Sequence, residues 1–249
     1  MNKGIVIIPT YNEIENIEAI IRAVFLLDTA FDVLVVDDNS PDGTAQKVKE
    51  LQAEYPNLNL EVRAGKSGLG TAYVHGFKWA IARKYEYIFE MDADFSHPPE
   101  DLIRLYEACA EKGHDAAIGS RYITGVNVVN WPINRVLMSY FAGYYVRMIT
   151  GMQIMDPTAG FICYTKKVLE AIDLDKIRFI GYAFQIEMKF NTWKFGFDIV
   201  EVPIIFTDRT KGASKMSPGI FKEAILGVIS LKVNSYFKRY IPANKQVQK

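Results

Sequence analysis

Short apolar runs alternate with amphipathic stretches from residue 4 to about residue 120. Segments 4–8, 32–36, 58–62, 87–91 and 115–118 have the length and β-branched content of strands, while 13–25, 44–54, 71–83 and 99–112 carry the spacing of helices. This rhythm predicts an α/β fold with a parallel, doubly wound sheet and right-handed crossovers. Asn12 with Glu15 reads as a capping box opening the first helix, and Asp42-Gly43-Thr44 opens the second in the same style. After Ser120 the rhythm changes to a loop over 121–130 and a long helix entered through Trp131-Pro132 and running to about Thr150. A strand over 160–164, a helix over 182–195, a strand over 199–206 and a last helix over 218–237 follow. No linker or repeat interrupts the chain, so one domain is expected over 1–237, followed by a short basic tail, 238–249.

With 249 residues, 49% of them hydrophobic, the chain can bury a large core. Lys plus Arg and Asp plus Glu are equal at 29 each, so no overall field recruits nucleic acid and charged partners must be met by local clusters. Cys109 and Cys163 lack metal spacing and read as reduced, buried thiols of a cytosolic protein. The apolar run ending at Pro9 is too short for a signal peptide. The best candidate span, 136–155, contains Arg147 and two glycines, so no transmembrane segment is expected.

In sheets of this kind ligands bind beyond the carboxyl ends of the strands. That edge carries Pro9-Thr10-Tyr11-Asn12-Glu13, then Asp37-Asp38-Asn39-Ser40, then Asp92-Ala93-Asp94. If the strand stays extended, its period of two points Asp92 and Asp94 to one side, where two hard oxygen ligands suit Mg²⁺ or Mn²⁺ and leave room for phosphates. A solvated turn, helped by Ser96, Pro98 and Pro99, is the alternative. Calcium and nucleotide motifs fail on counting. Lys49 stands where a calcium loop starting at Asp38 needs Glu, Leu60 where a phosphate loop ending in Gly65-Lys66-Ser67 needs Gly, and Tyr73 where a dinucleotide fingerprint needs its third Gly.

Pro9-Thr10-Tyr11-Asn12-Glu13, Val36-Asp37-Asp38 and Asp92-Ala93-Asp94 resemble the nucleotide-sugar half of family 2 glycosyltransferases of the GT-A fold. Asp92-Ala93-Asp94-Phe95-Ser96-His97-Pro98, Gly119-Ser120-Arg121-Tyr122, Asp156-Pro157-Thr158-Ala159-Gly160-Phe161, Gly181-Tyr182-Ala183-Phe184-Gln185-Ile186-Glu187 and Arg209-Thr210-Lys211-Gly212-Ala213-Ser214-Lys215 narrow the resemblance to dolichyl-phosphate (polyprenyl-phosphate) mannosyltransferases. The resemblance spans about residues 4–235. It implies a single Rossmann-like GT-A domain with a mostly parallel sheet flanked by helices, plus C-terminal amphipathic helices; residues 1–120 would serve the nucleotide sugar and 121–237 the acceptor.

It further implies inverting transfer of mannose from GDP-mannose to a polyprenyl phosphate with Mg²⁺ or Mn²⁺. Pro9, Tyr11, Glu13, Asp38, Asp92, Ala93, Gln185, Arg209 and Lys215 would then meet the donor, with Asp92, Asp94 and Gln185 at the metal. Arg121, Arg135 and Ser139 would hold the acceptor phosphate, and Asp94, Arg121, Arg135 and Lys215 would carry catalysis. A monoalkyl phosphate has its second pKa near ~6, so at neutral pH it is already an anionic nucleophile and no general base is required. Positioning and charge stabilisation of the leaving GDP remain as the catalytic task.

Arg135 and Ser139 are four apart and share a helix face, which fits one phosphate or an ordinary surface pair. Arg121 could equally make a fold salt bridge. The aromatic and methionine-rich stretch 131–155 suits either a membrane interface that guides a polyprenyl chain or a buried core helix. The chain departs from many relatives in lacking a transmembrane extension. Peripheral attachment to the cytoplasmic face of a membrane is therefore expected, with a membrane-anchoring partner subunit left open. Transfer from UDP-glucose or another donor, and a nucleotide-sugar-binding module without turnover, are the rival readings.

Overall fold

A computed structural model describes residues 3–181, 183–208 and 219–240; Tyr182, Arg209, Lys215, Pro218 and the tail 241–249 lie outside the described residues. The strands are β1 (Gly4–Thr10), β2 (Asp32–Asp37), β3 (Leu58–Val62), β4 (Tyr87–Glu90), β5 (Ala116–Ser120), β6 (Val128–Val129), β7 (Ile162–Thr165), β8 (Ile199–Pro203) and β9 (Phe206–Thr207). The helices are α1 (Ile17–Phe25), α2 (Thr44–Leu51), α3 (Leu69–Ala82), α4 (Asp101–Ala110), α5 (Ile133–Thr150), α6 (Lys166–Ala171), α7 (Ala183–Lys194) and α8 (Gly219–Ser235).

Seven strands form one sheet in the order β3-β2-β1-β4-β7-β5-β8, and β6 pairs with β9 in a separate ribbon. Successive strand residues feed opposite faces. Ile5, Ile7, Leu34, Val36 and Ile88 join the core beneath α3 and α7, whereas Val6, Ile8, Val33, Val35 and Phe89 join the core beneath α1, α2 and α4. Both faces are covered, which is why the central strands read as continuous apolar runs.

The sheet is mostly parallel, as expected, with one antiparallel member. β7 runs antiparallel to both β4 and β5, while the other pairs in the sheet are parallel. A four-residue strand buried throughout carries no sequence signal for its direction. The single strand expected over 199–206 is likewise broken at Ile204-Ile205 into β8 and β9, and β6 falls in the stretch expected to be a loop.

The first helix also starts later than expected, at Ile17, and the Asn12/Glu15 capping box is not formed. Asn12 has φ +57° and so cannot lead into a helix. The backbone N–H groups of Asn12, Glu13 and Ile14 instead donate to Ser40 Oγ, Thr44 Oγ1 and Asp42 Oδ2 at 3.0, 3.0 and 3.1 Å. Side chains of the β2–α2 connection thereby satisfy donors of the β1–α1 connection, and the two strand ends are tied together. Asp42 does open α2, accepting from Thr44 N and Oγ1 at 3.0 and 2.6 Å.

Gly119 in β5 has no room for a side chain. A Cβ there would lie 2.6 Å from the fully buried Phe161 ring and 3.2 Å from Ile204. Gly119→Ala should therefore destabilise the fold by about 1–3 kcal/mol through overpacking. A urea unfolding midpoint equal to wild type would contradict this packing.

Candidate active site

Three polar clusters converge at one edge of the sheet. After β1 and β2, Asp37 is fully buried and accepts from Thr10 Oγ1 at 2.7 Å, from Ser40 N at 2.8 Å and from Ser40 Oγ at 2.6 Å. It holds the two connections in register. Asp38 is turned the other way, to Arg63 at the end of β3: Arg63 Nε donates to Asp38 Oδ1 at 2.6 Å and Arg63 Nη1 to Thr71 Oγ1 at 2.8 Å. Lys66 sits 4.8 Å over the Tyr11 ring, and Asn16 Nδ2 donates to Glu13 at 3.2 Å. Pro9 lies within β1, paired with Val36. Sequence reading did not single out Arg63, which lies two residues before Gly65-Lys66-Ser67, and weighed Lys66 only as part of that triplet.

Backbone strain gathers at the same edge. Asn12, Asn39 and Phe95, each just beyond β1, β2 or β4, have φ of +57°, +56° and +58°. Asparagine tolerates this region; phenylalanine does not, and such a conformation costs on the order of 1–3 kcal/mol. Phe95 follows directly on Asp92-Ala93-Asp94, so the strained residue closes the acidic turn.

Asp92 and Asp94 lie beyond the last residue of β4, in that turn, so the extended-strand argument for their common direction does not apply. The turn brings them to the edge instead. Asp94 Oδ1 accepts from Ser96 N at 3.1 Å, and the buried Tyr73 hydroxyl reaches Asp92 Oδ1 at 3.5 Å. Burial, reinforced by Asp92 and Glu90, pushes the Tyr73 phenol well above its ordinary range and keeps it a donor. Among the described residues no group of three or more His, Cys, Asp or Glu is placed to enclose a metal. Two hard carboxylates fit Mg²⁺ or Mn²⁺, which take their remaining ligands from water and substrate phosphate.

Gln185 on α7 is buried, and both ends of its amide are engaged. Its Nε2 donates to Glu90, and Lys189 Nζ stands 3.4 Å from its Oε1 while donating to Ala159 O at 2.5 Å. Burial drives both ionisable members toward neutrality, Glu90 up to about 8 and Lys189 down to about 8, with each one's charge opposing the other's shift.

Arg121 makes the fold salt bridge. Its Nε and Nη2 donate to the two oxygens of Asp156, each at 2.7 Å, its backbone N–H to Oδ2 at 3.0 Å, and Nη2 also to Thr158 Oγ1 at 2.8 Å. Both residues are buried. Burial alone would raise the Asp156 carboxyl, but the charge and hydrogen bonds of Arg121 outweigh it and hold the group below its ordinary value. Glu201 on β8 accepts the backbone N–H groups of Met155 and Asp156 at 2.7 and 2.9 Å, fixing this loop from behind.

Arg135 lies at the start of α5, its guanidinium 4.1 Å over the Trp131 ring and its Nη1 2.8 Å from Asp208 Oδ2. Ser139 is one turn further on. Its Oγ and the Trp131 Nε1 are buried and have no hydrogen-bond partner among the described residues. Each such group costs roughly 1–3 kcal/mol. Sequence reading assigned Arg135 and Ser139 to the acceptor phosphate by resemblance and used Trp131 only as an apolar residue. Of the expected donor residues, Arg209 and Lys215 lie outside the described residues.

The stretch 131–155 is helical over Ile133–Thr150 and is two-sided: Val146, Met152 and Ile154 enter the core while the opposite face is exposed. Ile133, Leu137, Met138, Tyr140, Phe141, Tyr144 and Met148 are exposed on α5, and Ile225, Leu226, Ile229 and Val233 on α8. The two helices are joined by Tyr145 Oη donating to Ile225 O at 2.9 Å and Lys232 Nζ to Thr150 O at 3.0 Å. No helix among the described residues is long and apolar enough to cross a membrane.

The model of Glycosyl transferase family 2 matches residues 5–173. The chain is 46% identical over 222 residues to an undecaprenyl-phosphate mannosyltransferase of Micrococcus luteus, covering 89% of this chain and 90% of that protein. It is 46% identical over 227 residues to the polyprenol monophosphomannose synthase of Mycolicibacterium smegmatis, covering 91% and 85%. Among solved structures, glucosyl-3-phosphoglycerate synthase from Mycobacterium tuberculosis, in complex with Mn²⁺, UDP-glucose and glycerol 3-phosphate, aligns with a TM-score of 0.62 at 16% identity, over 93% of this chain and 79% of that one. A mannosyltransferase from Pyrobaculum calidifontis, in complex with GDP-Man and Mn²⁺, aligns with a TM-score of 0.57 at 16% identity, over 98% and 78%. At such identities these two share the fold, and that fold is the GT-A arrangement.

His97 closes the turn after Asp94, buried and stacked on Phe161 at 5.0 Å with Phe206 edge-on at 5.2 Å. Burial lowers its imidazole from 6.5 to about 4, Asp94 pulling the other way. A base depressed in the folded state contributes stability that is present above its unfolded value of 6.5 and is lost as pH falls toward 4. The loss amounts to at most about 3 kcal/mol. His97→Phe should flatten this limb of the stability profile; an unchanged slope between pH 6.5 and 4 in urea titrations would refute the assignment.

Proposed function

The chain belongs to glycosyl transferase family 2, and we propose that it moves mannose from GDP-mannose to a polyprenyl monophosphate, with inversion and with Mg²⁺ or Mn²⁺ held at Asp92 and Asp94. The observation that supports this reading is that His97, at the end of the acidic turn, and Trp131, just before α5, pack on the same Phe206 ring, each at 5.2 Å, joined to 46% identity with polyprenyl-phosphate mannosyltransferases over most of the chain. The acidic turn suits a metal-bound pyrophosphate and the helix suits a second phosphate.

On the donor side, residues 1–120 supply Pro9, Tyr11, Glu13 and Asp38 to the nucleotide, with Arg63 and Lys66 beside them. Asp92, Ala93 and Asp94 face the pyrophosphate. When bound, the divalent cation neutralises charge developing on the leaving GDP. Gln185 would join that ligand set only by exchanging its present contacts with Glu90 and Lys189. Arg209 and Lys215, which lie outside the described residues, are assigned to the donor by the family resemblance alone.

On the acceptor side, residues 121–237 supply Arg135 and Ser139 to the phosphate. Arg121, anchored on Asp156, contributes its charge from beneath Trp131, 5.6 Å from that ring. The acceptor oxygen attacks the anomeric carbon directly, which converts an α-linked donor to a β-linked product. The exposed apolar faces of α5 and α8 rest on the cytoplasmic face of a membrane, so that the polyprenyl chain stays in lipid while its phosphate reaches Arg135.

An assay with labelled nucleotide sugar and polyprenyl phosphate tests the reading. GDP-mannose should support transfer and UDP-glucose should not, and Asp94→Asn should lower kcat by about a thousandfold or more with the fold intact. Transfer from UDP-glucose alone would replace the donor assignment, and wild-type turnover by Asp94→Asn would remove the metal assignment. In flotation with anionic vesicles the protein should rise with the lipid, and Phe141→Ser with Tyr144→Ser should return it to the soluble fraction. Equal flotation of both proteins would count against the membrane face.

A further inference from the structure

Arg135 and Ser139 are four apart on the first turns of α5 and share a face, and Trp131, two residues before the helix begins, is brought to that face by the Arg135 guanidinium 4.1 Å over its ring. Each ends in a hydrogen-bond donor. The middle one already holds an anion, since Arg135 Nη1 lies 2.8 Å from the Asp208 carboxylate. The outer two, the Trp131 indole N–H and the Ser139 hydroxyl, are buried without a hydrogen-bond partner among the described residues. Buried donors in native proteins are nearly always paired, so two orphans flanking one anion-holding arginine mark a place where a larger anion is received.

We propose that Trp131 is a ligand of the acceptor phosphate, its indole N–H donating to one terminal oxygen while Arg135 and Ser139 take the others. This rests on the reading of α5 as the acceptor-phosphate site. The ring is fixed in advance: Arg135 stacks on its face at 4.1 Å, Arg121 stands 5.6 Å from its centre, and Phe206 packs against it at 5.2 Å with the planes 69° apart. Two guanidinium groups against one indole raise the positive potential where its N–H points and strengthen it as a donor to an anion. A phosphate dianion has enough oxygens for all three groups. Asp208, with fewer oxygens and a single charge, satisfies Arg135 and leaves Trp131 and Ser139 unpaired. The phosphate therefore displaces Asp208 from Arg135 when it binds.

The test uses the full chain labelled with ¹⁵N, whose three tryptophans give three indole resonances. Trp131→Phe keeps an aromatic ring beneath Arg135, removes the N–H and identifies its resonance; Trp79→Phe and Trp193→Phe identify it by elimination if that variant does not fold. Titration with a short-chain prenyl monophosphate should move the Trp131 resonance downfield, whereas the prenol lacking phosphate should leave it in place. In the transfer assay Trp131→Phe should raise KM for the prenyl phosphate about tenfold or more, with kcat and the KM for GDP-mannose changed by less than about twofold. A Trp131 resonance that stays fixed while the wild type binds and transfers to the prenyl phosphate overturns this assignment and leaves the proposed reaction standing. A wild type that neither binds nor uses the prenyl phosphate overturns the acceptor reading, and this assignment with it.

Discussion

The ion pair between Arg121 and Asp156 is the interaction on which the working half of the molecule rests. Two charges taken out of water are tolerated only with close geometry and full hydrogen bonding, and here Asp156 receives three bonds from Arg121 while Glu201 secures the backbone of the same loop. The pair joins the end of β5 to the loop that reverses into β7, and Glu201 adds β8. Three strands distant in sequence are thus locked at one point beside Trp131 and His97. Such a pair contributes little net stability compared with apolar packing, but only one arrangement of the loop satisfies it.

Behind the acidic turn, Glu90, Gln185 and Lys189 form a second buried polar group, linked to the first through Ala159. Its members pin α7 against the end of β4 immediately before Asp92. Rigidity at the base of a strained turn is what lets Phe95 remain in a conformation that its side chain disfavours. The strain is local and the support for it is spread over β4, α7 and the loop before β7.

Much of this was legible in the sequence. The strands from β1 to β5 and the helices between them follow from apolar period and β-branched content, and the polar residues at their ends followed from where such sheets bind ligands. What escaped has a common cause. The late start of α1 depends on Ser40, Asp42 and Thr44, some thirty residues away. The direction of β7 depends on its neighbours, because a strand buried on both faces reads alike in either sense. Arg121 could not be assigned to a fold role without its partner Asp156, nor Arg135 paired with Asp208. Arg63 likewise takes its place only through Asp38, 25 residues away.

The insertion of β7 between β4 and β5 also fixes an order of events during synthesis. β5 has no hydrogen bonds to β4; its sheet neighbours are β7 and β8, both encoded later. The strands β1 to β4 can assemble as each emerges, but the buried segment Ala116–Ser120 must wait, with both edges unpaired, until Ile162–Thr165 has left the ribosome. The interval is filled by α5, whose Ile133, Phe141, Tyr144 and Met148 are exposed. A nascent chain paused there presents an open strand edge and a greasy helix together, which makes this interval the one in which a chaperone or an early encounter with lipid has most to protect.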